Sequence, residues 1–144
     1  MKRNVLVVLI SLFTILFSTM TMAAALPKFT CTLTDKMNGQ KPGDAKDSFT
    51  ASTPMFYYIC SSDGVTKGQT VKAVWIATDT NGAAPANYKI DEKGLMVDKN
   101  LKADEEWTGS FTLSIPNKGW PKGQYRVELY VDNQLLQSAK FSVM

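Results

Sequence analysis

The sequence predicts an all-β fold, an antiparallel two-sheet β-sandwich of about seven strands. Three observations carry this. Short segments of alternating apolar and polar residues recur along the chain. Gly, Pro and Asn clusters separate them, and no amphipathic helix of useful length intervenes. The third is the closing stretch Gly119–Val143, which reads as a turn, a strand, a tight hairpin and a return strand. A hairpin cannot stand alone in water, so the preceding chain must supply a second apolar layer.

The N-terminus is read first, because it is not part of the fold. Met1-Lys2-Arg3 is basic, Val5–Phe17 is an uninterrupted apolar run but for Ser11 and Thr14, and Ala23-Ala24-Ala25 offers small residues. That is the layout of an export signal, residues 1–25, with cleavage after Ala23 or Ala25. An uncleaved anchor is the alternative, since no charge falls between Val5 and Met22. A lipoprotein is disfavoured, because Cys31 lies too far beyond the small residues. Removing residues 1–25 leaves 119 of 144, one domain over 26–144 with enough chain for a single core. The whole chain carries 16 basic and 13 acidic residues; without Lys2 and Arg3 the net charge is +1. Such a balance gives no electrostatic case for nucleic acid. The expected destination is the periplasm or the extracellular space, with no stable membrane insertion once the signal is removed.

Two cysteines, Cys31 and Cys60, remain in a chain bound for an oxidising compartment. One disulfide is the economical reading, with two buried thiols as the alternative. Two Cys cannot complete a zinc site, and the sequence holds no His. No cofactor and no metal are expected.

The strands follow in order. Phe29, Cys31 and Leu33 share one face of a short first strand; with the loop after it, this makes up 26–48. Asp35–Asp47, with Asn-Gly and Pro-Gly, reads as a mobile loop whose far end Phe49 pins to the core. Met55–Cys60 is a dense apolar and aromatic strand. Gln69–Thr78 buries Val71, Ala73, Trp75 and Ala77 in one register, and Trp75 is the natural centre of the core. Asp79–Ala86 is a loop. Asn87–Ile90 and Leu95–Val97 read as two short strands around Asp91–Gly94, and Lys99–Glu106 as a charged turn or loop. Trp107, Phe111, Leu113 and Ile115 alternate with Thr108, Ser110, Thr112 and Ser114. Tyr125, Val127, Leu129 and Val131 form the inner face of the next strand, Asp132-Asn133 a two-residue turn. The return strand sets Leu135, Ala139, Phe141 and Val143 together, with Gln137 the one polar residue in that register. The expected core is Trp75, Phe111, Tyr125, Leu129 and Phe141.

From Phe49 to Met144 the chain resembles the immunoglobulin-like and fibronectin type III-like domains of exported bacterial proteins. The residues that carry the likeness are Gly68 and Trp75 in GQTVKAVW, Phe111-Thr112-Leu113-Ser114, Gly119-Trp120-Pro121-x-Gly123-x-Tyr125, and Phe141-Ser142-Val143. The resemblance implies that Gly-x-Tyr opens the penultimate strand and Phe-x-Val closes the sheet. The cysteines depart from it: both precede Trp75 instead of flanking it, so a link between the first two strands is expected. The likeness speaks to fold and leaves function open, since this architecture hosts adhesion modules, chaperones, inhibitors and spacers.

Few residues suggest chemistry. Trp120, Pro121, Tyr57 and Tyr58 are candidates for a contact surface, as outward aromatics often are. The competing reading has Trp120 as a lid on the sandwich end and Tyr125 bonded to a neighbouring loop. Asp104-Glu105-Glu106 reads as a solvated face, since acid–base catalysis needs a cleft and a raised carboxyl pKa. Asp79-Thr80-Asn81-Gly82 begins like a calcium loop but lacks the later ligands, and reads as a turn. Without His, a Ser-His-Asp or Cys-His arrangement cannot form. The expectation is a non-enzymatic domain that binds another protein or macromolecule of the envelope or exterior, through an edge strand or the end loops. The alternatives are a secreted inhibitor inserting a loop into an enzyme, or a carbohydrate-binding module with Trp107, Trp120 or Tyr58 as a flat platform.

Overall fold

A computed structural model describes residues 25–144. Apart from Ala25, the segment read above as an export signal, residues 1–25, lies outside the described residues. Among those described, no helix is long and apolar enough to cross a membrane.

The described residues form ten strands: β1 (Thr30–Thr34), β2 (Met37–Asn38), β3 (Lys41–Pro42), β4 (Ser48–Phe49), β5 (Met55–Ser62), β6 (Thr70–Asp79), β7 (Tyr88–Met96), β8 (Trp107–Ser114), β9 (Gly123–Val131) and β10 (Gln134–Val143). Three of these are two residues long, which leaves seven of full length. One sheet has the order β1-β5-β8, the other β4-β10-β9-β6-β7, and β2-β3 is a miniature hairpin. All pairings are antiparallel except β4 with β10. The fold is an all-β, two-sheet sandwich.

The alternation in the sequence translates into two inner faces. In β8 burial switches at every residue, so Trp107, Phe111 and Leu113 face inward and Thr108, Ser110, Thr112 and Ser114 outward. Trp75, Phe111, Tyr125, Leu129 and Phe141 are all buried. Trp75 sits among Phe56, Tyr58 and Phe141, with ring centroids 6.2–6.4 Å from its own. Phe49 is buried against Phe56 and Phe141, where β4 joins the end of β10.

Cys31 and Cys60 form a disulfide between residues directly opposite on β1 and β5. It ties neighbouring strands of one sheet, and it fits an oxidising, extracytoplasmic location.

Three segments differ from expectation. The stretch 35–47 carries the β2-β3 hairpin, held by Gly43 N donating to Lys36 O (2.8 Å) and by an Asp35–Lys46 ion pair (2.7 Å). The two short strands expected around Asp91–Gly94 are one nine-residue strand, β7. As an edge strand exposed along most of its length, it needs no apolar alternation, and hydrophobic periodicity could not reveal it. The return strand carries a bulge between Leu135 and Gln137. The extra residue flips parity, so Leu135 is outward and 48% exposed while Leu136 packs against the core.

Candidate functional site

The aromatic residues put forward for a contact surface are mostly interior. Gly119 takes φ +79°, and Trp120 N donates to Ala51 O (2.9 Å), which turns the indole into the end of the sandwich. There Trp120 stacks on Phe56 with centroids 4.4 Å apart, and its Nε1 donates to Thr53 O (2.7 Å). The Tyr125 hydroxyl donates to the Pro121 carbonyl and fixes the corner. Trp120 is therefore a lid. Tyr58 is also buried; its hydroxyl accepts a bond from Gln137 Nε2 (3.2 Å) across the gap between the sheets. Burial pushes the Tyr58 phenol above the ordinary tyrosine range, partly offset by that bond. Only Tyr57, half-buried, and Pro121, exposed, reach the surface, whereas Trp120 and Tyr58, expected as contacts, are buried in the core. Trp107 is buried as well, so Trp107, Trp120 and Tyr58 form no sugar platform. Size and aromaticity alone cannot tell a lid from a contact residue.

In the acidic stretch, Glu105 is held by local bonds. Glu105 accepts a bond from Lys102 N (2.9 Å) and meets Lys99 at 3.6 Å. The backbone bond from Lys102, chiefly, holds its carboxyl below the ordinary range, opposite to what a general acid needs. Asp104, Glu105 and Glu106 line a shallow cleft with Lys28, Thr30 and Asp63, on the order of 350 Å³. Asp79 closes a turn by accepting from Asn81 N (3.0 Å), with Asn81 at φ +54°. Among the described residues there is no group of three or more His, Cys, Asp or Glu placed to hold a metal.

The outer face of the five-stranded sheet is a feature the sequence did not announce. Arg126 donates to Asn87 Oδ1 (2.7 Å) and Thr78 Oγ1 (3.1 Å) and pairs with Glu128 (3.5 Å). Tyr130 donates to Glu128 Oε1 (3.2 Å), Lys72 lies over the Tyr130 ring, and Glu92 pairs with Lys89 (3.4 Å). These side chains close over Val74 and Ile76, which are buried though they point away from the core. Partner residues that cover apolar side chains and satisfy one another leave that face little to offer a ligand.

The sheet edges remain, and they are unequal. At β1, Lys46 N donates to Leu33 O (2.8 Å), so the segment after the small hairpin covers part of that edge. β10 carries a bulge, Lys140 and the short β4. β7 carries Lys89, Asp91, Glu92 and Lys93 and a bulge opposite Trp75 and Ile76. Charge, bulges and covering segments are how natural sheets blunt their edges. β8 has none of them. Its eight residues hold no charge and no Pro, and its register with β5 runs unbroken from Trp107 to Ser114.

The direction of the β8 backbone groups follows from two bonds. Leu33 O faces away from β5, toward Lys46, so Leu33 and Cys31 turn their polar groups outward and Cys60 turns its own toward β8. Gly109, opposite Cys60, then bonds back to β5, as Ile115 N does to Pro54 O (2.9 Å). Alternation leaves the N–H and C=O of Thr108, Ser110, Thr112 and Ser114 pointing to the free side, where no strand among the described residues pairs with them.

Together these features define a class: a small all-β sandwich with one disulfide and one regular, unguarded sheet edge. No protein-family model matches the sequence, and no curated protein matches it. Among solved structures, a β-glucosidase from Listeria innocua in complex with laminaribiose aligns at 9% identity and TM-score 0.48, over 82% of this chain and 16% of that one. A β-glucosidase from Erythrobacter marinus aligns at 14% identity and TM-score 0.48, with the same two coverages. The alkylpurine DNA glycosylase of Pseudomonas fluorescens, bound to DNA, aligns at 14% and 0.47, over 81% of this chain and 30% of that one. The chain thus spans 16% of the length of each of these β-glucosidase chains. Nothing of those proteins' activities is carried to it.

Proposed function

We propose that this chain is an exported, non-enzymatic, immunoglobulin-like domain that binds another protein of the envelope or exterior through a sheet edge. The observation that carries the reading is the free edge of β8, regular and uncharged where the other edges are charged, bulged or covered. An edge accepts a partner strand through backbone bonds alone, so no special side chain is needed. The immunoglobulin-like reading is supported by three strands facing five, with Trp75 at the centre of the core. Export is supported by the N-terminal sequence and the Cys31–Cys60 disulfide.

The test is affinity capture from envelope extract and culture medium, using the chain recovered after export with its disulfide formed. One reproducible partner, held at both low and high salt, is the expected result, because backbone pairing at a near-neutral edge is little screened. A monomer that captures nothing would overturn the reading.

A further inference from the structure

Among the described residues no strand pairs with the free side of β8, the last strand of the three-stranded sheet. Residues paired across a ladder share a face. Ala73, Trp75 and Ala77 are buried in the core, so their partners Lys93, Asp91 and Tyr88 stand on the inward face of β7. All three are nonetheless exposed, Tyr88 at 51%. β8 is the last strand of its sheet and approaches both β6 and β7, yet it leaves these inward side chains of β7 uncovered. The unpaired edge of Thr108, Ser110, Thr112 and Ser114 and the uncovered Tyr88, Asp91 and Lys93 together border a lane on that side of the molecule.

Resting on the edge-binding reading above, we propose that this lane takes one extended, uncharged segment of a different protein, which becomes the fourth strand of the β1-β5-β8 sheet. A second copy of this chain is the poorer occupant. Two-fold pairing of β8 with β8 would set both five-stranded sheets on the same side and turn their charged β7 edges toward each other. A single segment carries no covering sheet and meets no such obstacle. Asp91 and Lys93 offset each other, and β8 bears no charge, so a net-charged segment gains nothing there. Side chains turned toward β7 meet the Tyr88 ring and the partly buried Ile90 and Leu95, which favours apolar residues at alternate positions.

The test supplies such a segment in cis. A Gly/Ser linker of about 20 residues after Met144, with a reach of roughly 25 Å, carries a six-residue alternating Thr-Val segment. Tethering raises the effective concentration enough for a weak strand to dock. The expected results are a higher Tm and at least tenfold slower hydrogen exchange at the amides of Ser110 and Thr112. A tether whose segment is interrupted by Pro should give neither. In the host, Ser110→Pro removes one lane-facing N–H while sparing the ladder to β5, and should lessen the Tm gain. Should that variant fail to fold, Tyr88→Ser on β7 should do the same without touching β8. Unchanged exchange at Ser110 and Thr112 in the tethered chain overturns the inference, whatever the extract yields. So does a tethered chain that still captures its partner as well as the untethered one; the partner then docks elsewhere, and the edge-binding reading must be judged at another edge. Failure of the untethered chain to capture anything counts against the binding reading by itself.

Discussion

Gln137 and Tyr58 show what one polar residue at an apolar position does. By sequence, Gln137 breaks the inner face of the last strand; in the structure its amide satisfies the buried Tyr58 hydroxyl from the opposite sheet. Gln137→Leu should therefore cost about 1–3 kcal/mol, the penalty of an unsatisfied buried polar group. Adding Tyr58→Phe should recover most of it, and urea melts of the four-member cycle measure the coupling. The phenol also sets a pH dependence. Burial raises its pKa in the folded state, with Tyr125 raised for the same reason. Below pH about 10 both folded and unfolded states keep the proton; above it the unfolded chain loses it first, so stability falls as pH rises. Tyr58→Phe should flatten that fall without abolishing it, as thermal melts between pH 9 and pH 11 would show (roughly the span around an ordinary tyrosine pKa). At the core centre, Trp75→Ala should cost about 3–5 kcal/mol in denaturant unfolding, and a loss under about 1 would contradict its packing among Phe56, Tyr58 and Phe141.

Strands differ in how openly their sequence declares them. β8 and β9 alternate without error and were legible residue by residue. β7 was not, because an edge strand exposed on most positions carries no apolar signal. The bulge in β10 was hidden for another reason: Leu135-Leu136 offers two equivalent leucines, and only the pairing with β9 decides which turns inward. Leu135→Ser should change stability by less than about 0.5 kcal/mol, as surface substitutions do. Leu136→Ala should cost about 1–2 kcal/mol, since the side chain is partly buried against the core. Urea unfolding of the pair compares them directly, and the reverse order would place the bulge elsewhere. Of the candidate contact residues, the corner pattern around Trp120 was visible, yet its inward turn depends on Ala51 and Thr53, far away in sequence.

At the scale of the molecule, the disulfide and the unequal sheets matter most. Cys31 and Cys60 close a loop with a sequence separation of 29, for which the chain-entropy model gives about 3–4 kcal/mol. Reduction, or Cys31→Ser, should lower the unfolding free energy by about that amount, and the unfolded, unreduced wild type should show no free thiol. The all-β class, the strands that face the core on one side and the cysteine pair are legible in the residues alone. Those follow from local rules: side-chain periodicity, turn chemistry and counting. Packing of the whole chain sets which aromatics are buried, which face Leu135 takes, and that β8 ends its sheet with the inward side chains of β7 left exposed. Burial and edge position depend on what the rest of the chain places alongside a strand, and no stretch of residues encodes its neighbours from the other sheet.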